Sequence, residues 1–360
     1  MASLFDEYRL KDVTLRNRIA VSPMCQYSSE NGFPNDWHMV HLGSRAVGGA
    51  GLVIVEATAV APEGRISPED SGIYLDEHVE PFARIARFMK SQGAVSGIQI
   101  AHAGRKASAT KPWEGDRHIA TGDGGWETIA PSAVAFGGGL TKVPHAMTVA
   151  DIARIRDAFV DSAKRSLAAG FEWLELHFAH GYLAHEFYSP LANQRTDNYG
   201  GSFENRIRFM METFKAVRKV WPERFPLTAR LSVTDWLEGG VTIEETIELV
   251  TRLKGAGLDM LDVSQGFITP DISQIPWGPG FMIPIASRIR KATGIPTSVG
   301  WMITDPLQAD AAIRDEHADL VLLGRELLRD PYWPYHAAMK LGVEHAPEVL
   351  PVQYARAVKR

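Results

Sequence analysis

Eight short runs rich in aliphatic and β-branched residues punctuate the chain. Most are followed by a longer stretch whose apolar positions recur every three or four residues. The runs are Ile19–Met24, Gly51–Ala57, Val95–Ala101, Phe171–His177, Leu227–Ser232, Leu258–Ser264, Ile295–Gly300 and Asp319–Gly324. Their length and alternation predict strands, and the intervening periodicity predicts helices. Helix boundaries are marked. Thr148-x-x-Asp151 resembles a capping box ahead of Ile152, Ile155, Phe159 and Leu167, with Gly170 as its stop. Thr242-x-x-Glu245 is a capping box before Ile247, Val250 and Leu253, with Gly255 as the expected stop. Thr304 ahead of Asp305-Pro306 suits a cap followed by proline in the first turn. Strand and helix alternating eight times predicts an α/β protein, a (β/α)8 TIM barrel forming one domain over residues 1–360. A doubly wound open sheet fits less well, because eight units suit closure and no GxGxxG follows the first run.

Two connections exceed plain barrel loops. Residues 102–147, rich in Gly, Pro and Trp, follow the third strand, and residues 178–202 follow the fourth. Both leave the carboxyl ends of strands, where long loops act as lids or pocket walls. Tyr8–Arg18 reads as a short hairpin closing the opposite end, and Pro347–Arg360 as a helix or tail packing on a neighbour. Composition narrows the function. Apolar residues make up 45% of 360, enough for a large core, and a net charge of −5 spread through the chain leaves no footprint for nucleic acid or a membrane surface. No apolar run approaches the roughly 20 residues of a membrane span, and the charged N-terminus has no apolar signal core. Cys25 is the single cysteine, which excludes an internal disulfide and favours a reducing, cytoplasmic setting.

The chemistry gathers in FEWLELHFAHGYLAHEFYSP, residues 171–190. Phe171, Trp173, Glu175 and His177 alternate with Glu172, Leu174 and Leu176 as a half-buried strand does. Residues three apart on a strand face opposite ways, so His177 and His180 meet at one ligand only if the strand ends near His177 and the chain turns through His180 and Gly181. A zinc site built on the two histidines is the competing reading and would make the protein a metal-dependent barrel hydrolase. The motif lacks HExxH and sits at a strand end, which favours hydrogen bonding over metal ligation. Tyr182 follows as a candidate general acid. Glu56, Gln99, Glu175, Arg230 and Asp262 stand at strand positions an ordinary core fills with Val or Leu, which suggests groups hydrogen-bonded around a polar ligand. For Arg230 two readings stand side by side: an interior ion pair, with Glu175 on the neighbouring strand as partner, or a cation held against an electron-rich ring. Gly300 and Gly324, the latter followed by Arg325, end the last two strands and suit an anion such as phosphate, or simply tight turns. Cys25 ends the first strand with Tyr27 two residues on, a position that favours a ligand contact over plain packing.

The strings LKDVTLRNRIAVSPMCQYS, GAGLVIVEATAVAPEGRI, GIQIAHAGRKAS, GFEWLELHFAHGYLAHEFYSP, NQRTDNYGGSFENRIRF, TARLSV and LVLLGRELLRDP span most of the chain in order. They resemble the Old Yellow Enzyme family of FMN-dependent ene reductases, in its bacterial xenobiotic-reductase-A and thermophilic-like subgroup. The resemblance implies FMN at the carboxyl end of the barrel. Ser22, Pro23, Met24 and Cys25 match the segment beside the flavin, with the cysteine tuning its potential. Ala57, Gln99 and Arg230 match contacts to the ring or ribityl chain, and Gly324 and Arg325, with Gly300 nearby, match the phosphate grip. His177 and His180 match the pair that binds the substrate oxygen, helped by Tyr27, and Tyr182 matches the proton donor. Trp301 is expected to narrow the substrate pocket. The implied activity is ping-pong reduction of α,β-unsaturated carbonyl compounds, with nitro compounds as a further class, by NADPH or alternatively NADH. The implied assembly is a homodimer or homotetramer in which Tyr354 or Arg356 is a candidate to reach a neighbouring active site.

Overall fold

The structure is a computed structural model describing residues 2–358. Eight parallel strands close into a barrel: Ile19–Val21, Leu52–Ala59, Val95–Ala101, Trp173–Phe178, Leu227–Ser232, Met260–Ser264, Thr297–Val299 and Leu320–Leu323. They neighbour one another in sequence order, and the eighth pairs with the first through Leu322↔Ala20 and Leu323↔Val21. All eight expected runs are strands. The first and seventh are shortened most relative to their apolar runs. The first stops before Ser22-Pro23, because proline has no N–H for the ladder, and the seventh stops before Gly300.

Strand four shows how the interior is layered. Leu174 and Leu176 face the surrounding helices and join the large cluster between barrel and helices. Trp173, Glu175 and His177 alternate with them and point inward, from the amino end of the barrel to the carboxyl end. At the amino end Trp173 packs with Leu52, Ile54, Met260 and Leu320, and Val13 and Leu15 complete that cluster. Val13 and Leu15 belong to an antiparallel hairpin, Tyr8–Leu10 with Val13–Leu15, which plugs this end as expected.

Capping follows the sequence at two helices and departs at a third. Thr148 and Thr242 form complete capping boxes on Val149–Ala168 and Ile243–Gly255. Gly255, the expected stop, is instead the last helical residue, and Gly257, at φ +100°, takes the left-handed conformation that ends the turn. The cap of Pro306–Arg314 is Asp305, not Thr304: the carboxylate is the stronger acceptor and takes the Leu307 N–H at 2.8 Å. The long third connection contributes a small parallel pair, Ile129–Ala130 with His145–Ala146. The chain's last described element is the helix Val352–Val358, and Lys359 and Arg360 of the expected tail lie outside the described residues.

Candidate active site

The turn after strand four is built as its spacing demands. The strand ends at Phe178, and His180 and Gly181 both take positive φ, +60° and +69°. Glycine is required at 181, because a Cβ there would lie 2.1 Å from the Phe267 carbonyl oxygen. Hydrogen bonds fix the rest of the turn. Ser232 accepts the His180 N–H at 2.9 Å, and the ring of His185 accepts the Gly181 N–H at 2.9 Å. The other ring nitrogen of His185 faces buried Asp235 at 2.9 Å. The result is convergence: the His177 ring centroid lies 5.0 Å from that of His180 and 5.0 Å from that of Tyr182, both edge-on.

The protonation states follow from the surroundings. Burial, reinforced by Arg230, holds both imidazoles well below the usual histidine range, so both are neutral near pH 7. Nδ1 of His177 accepts the Ala179 N–H at 3.3 Å, which leaves Nε2 to carry the proton. Nε2 of His180 meets the Ser264 hydroxyl, which also accepts the Trp301 indole N–H at 3.0 Å. While accepting from tryptophan, the serine can still give its proton to His180 Nε2, in the tautomer that carries its N–H on Nδ1. Burial pushes the Tyr182 phenol well above the usual tyrosine range, so it stays protonated. Lys106 stands 4.9 Å over the Tyr182 ring and donates to the His180 carbonyl at 3.0 Å, and burial lowers its ammonium to about 8. Cys25, Tyr27 and Tyr182 pack together against Ile66, Ala103 and Ala107.

One layer deeper lie the buried polar residues. Gln99 donates to Glu175 at 2.8 Å. Arg230 pairs with Asp262 at 3.0 Å, not with Glu175 as the interior ion-pair reading had it, and its Nη1 reaches the Ser22 hydroxyl at 3.3 Å. Register accounts for the partner: Arg230 stands directly beside Asp262 on strand six, whereas Glu175 stands beside Thr228. Burial and then Asp262 push Glu175 up to about 8.

A cavity of about 380 Å³ opens beside this layer, lined by Ser22, Met24, Arg230, Gly300, Trp301, Gly324 and Arg325 among others. It unites residues from strands one, five, seven and eight. Ala57 and Tyr182 instead face a separate small cavity behind the turn. Tyr354 and Arg356 lie exposed on the terminal helix, away from both. Among the described residues no three His, Cys, Asp or Glu side chains are arranged to hold a metal ion. Sequence reasoning passed over Ser264, Phe267 and Lys106. Ser264 was detectable as a polar residue ending strand six, whereas Phe267 sits on a loop and Lys106 ends a single 3-10 turn, Gly104–Lys106, neither showing periodicity.

The sequence profile of the NADH:flavin oxidoreductase / NADH oxidase family matches residues 3–344. The chain is 46% identical over 355 residues to an NADPH dehydrogenase of Geobacillus sp. (strain WCH70), covering 98% of each. It superposes on the old yellow enzyme homologue from Zymomonas mobilis with a TM-score of 0.79 at 26% identity, covering 98% of this chain and 99% of that one. It also matches a 2-naphthoyl-CoA reductase with a TM-score of 0.85 at 27% identity, covering 94% of this chain but spanning about half, 52%, of that longer one.

The residues present suit FMN. Gly300 and Gly324 both line the cavity, and glycine is needed at 300, where a Cβ would come 2.6 Å from the Leu322 carbonyl oxygen. Arg230 offers a buried cation at its edge, Arg325 a second at its mouth, and the buried Gln265 amide has both polar atoms unpartnered. The chain belongs to the NADH:flavin oxidoreductase / NADH oxidase family and is an FMN-dependent oxidoreductase of the Old Yellow Enzyme type.

Proposed function

We propose that the protein reduces activated C=C bonds of α,β-unsaturated carbonyl compounds, and nitro compounds as a second class, in a ping-pong cycle with NADPH as the preferred donor. The observation that carries this reading is the meeting of two neutral imidazoles with a protonated phenol, the His177 ring 5.0 Å from both neighbours. Bound FMN would supply the hydride chemistry that links the nicotinamide to the alkene. His177, through Nε2–H, and His180, through Nδ1–H, donate to the substrate oxygen and stabilise the negative charge that grows there as the β-carbon is reduced. Tyr182 then gives its proton to the α-carbon. Tyr27 packs beside Tyr182 and assists substrate placement, and Trp301, 5.9 Å from His180 ring to ring, narrows the pocket.

The same reading gives FMN to Ser22, Pro23, Met24, Cys25, Ala57, Gln99, Arg230, Gly300, Gly324 and Arg325. It treats the whole chain as one domain and the protein as a cytoplasmic homodimer or homotetramer. The 46% identity to an NADPH dehydrogenase supports the donor. The test is spectroscopic. NADPH added without oxygen should bleach the flavin bands of the purified protein, and 2-cyclohexenone should then restore them. Bands that bleach but stay bleached after the enone would overturn the alkene reading while leaving the family intact.

A further inference from the structure

One buried acid near the site has no part in the chemistry so far. Asp70 follows strand two, is 4% exposed, and accepts the Ile66 N–H at 2.8 Å and the Ser67 hydroxyl at 2.9 Å. It lines the small cavity behind the turn together with Tyr182, between walls of Ala57, Ala59 and Ala103. That cavity leaves about 10 Å³ for the centre of a water molecule, room for one. The titratable groups facing Asp70 are Glu56 from strand two, Cys25 and Tyr27 from the loop after strand one, and Tyr182, with no cation among them. Burial first and Glu56 second push its carboxyl up to about 7, so near neutral pH both its protonated and ionised forms are populated.

A phenol that gives up its proton at each turnover must regain one before the next. His177 and His180 are held neutral by burial and cannot supply it. Lys106 stands over the face of the phenol ring, not at its hydroxyl, and gives one N–H to the His180 carbonyl. We propose that Asp70 is the proton reservoir of the site, reprotonating Tyr182 through a single water in the cavity they share. This rests on Tyr182 being the proton donor. The balance is simple. The Tyr182 O–H bond breaks as the substrate α-carbon gains its C–H bond. The phenolate takes a proton from the cavity water, the water takes one from the Asp70 carboxyl, and the carboxylate regains one from solvent. Electrons move only in the hydride transfer. Asp70 thus acts through Tyr182 and touches neither substrate nor flavin.

The test separates first from later turnovers in the holoenzyme. In Asp70→Asn, anaerobic flavin reduction by NADPH and a single reoxidation by 2-cyclohexenone should match the parent, because Tyr182 starts protonated. Multiple-turnover kcat should fall by about 10²-fold or more, the low end of what proton transfer contributes. The parent's kcat should decline as pH rises through about 7 and lose that dependence in the variant. Ala103→Val, which fills the cavity and leaves both acids in place, should give the same loss. Independently of turnover, the infrared spectrum of the parent should contain a carboxylic-acid carbonyl band that titrates near pH 7 and is missing from Asp70→Asn. Parental multiple-turnover rates and an unchanged pH profile in Asp70→Asn, or the absence of that band, would overturn the reservoir. An unimpaired single reoxidation in Tyr182→Phe would instead overturn the donor assignment on which it rests.

Discussion

The two ends of strand four hold different physics within one short strand. At the amino end Trp173 is buried among Leu52, Ile54 and Met260 under the Val13–Leu15 arm, with its indole N–H donating to Thr228 at 3.2 Å. At the carboxyl end His177 leads into a turn with two successive positive-φ residues, near Glu186, whose carboxyl burial raises to about 8, and Lys106, whose ammonium burial lowers to about 8. Stability is concentrated at one end and reactivity at the other, the division expected of a barrel.

Substitutions at the two ends should therefore separate stability from activity. Trp173→Ala should cost about 3–5 kcal/mol of unfolding free energy, the usual loss for a large buried aromatic, with activity per folded molecule retained. His177→Ala should do the reverse. Reoxidation by enone should slow by roughly 10²–10³-fold, the scale of a lost oxyanion donor, while chemical denaturation moves little. Equal losses of stability and rate in either variant would break the comparison. Gly181→Ala sharpens it, because its Cβ would lie 2.1 Å from the Phe267 carbonyl oxygen in a left-handed backbone. It should lose about 1–3 kcal/mol and displace His180, so both a melting curve and the enone rate should respond.

The smallest effect is on pH. Asp70, Glu175 and Glu186 sit near the catalytic end with carboxyls raised by burial to about 7, 8 and 8. Ordinary carboxyls ionise near 4 in the unfolded chain. Folding thus favours the protonated acids, a contribution fully present below about pH 4 and lost as pH rises through 7 to 8. The melting temperature should fall between pH 5 and 9, and less steeply in Glu175→Gln. A melting temperature that rises over that window would contradict the burial account.

Much of this was legible in the sequence because barrels have a strong period. Alternation marked Trp173, Glu175 and His177 as one face, and its breakdown at His180-Gly181 marked the turn. What could not be read was lateral register. Arg230 pairs with Asp262 because strands five and six align those two positions, and no local pattern states that. Helix ends were legible to within two residues, since Gly255 and Gly257 both suit a stop and only packing selects between them. Phe267 and Asp70 lie on loops and Lys106 in a single 3-10 turn, where neither periodicity nor capping chemistry points inward. The flavin contacts came from the family resemblance, since Ser22 on its own read as part of the first strand and Gly324 suited either an anion or a tight turn.

The most direct test of the central claim compares the two half-reactions in Tyr182→Phe by anaerobic stopped-flow spectroscopy. The phenol is placed to give a proton to the alkene and has no part in accepting hydride from the nicotinamide. The expected result is flavin reduction by NADPH at close to the parent rate and reoxidation by 2-cyclohexenone slowed by about 10²-fold or more. Equal slowing of both half-reactions would contradict the assignment, making Tyr182 a structural part of the pocket and leaving the proton to another group.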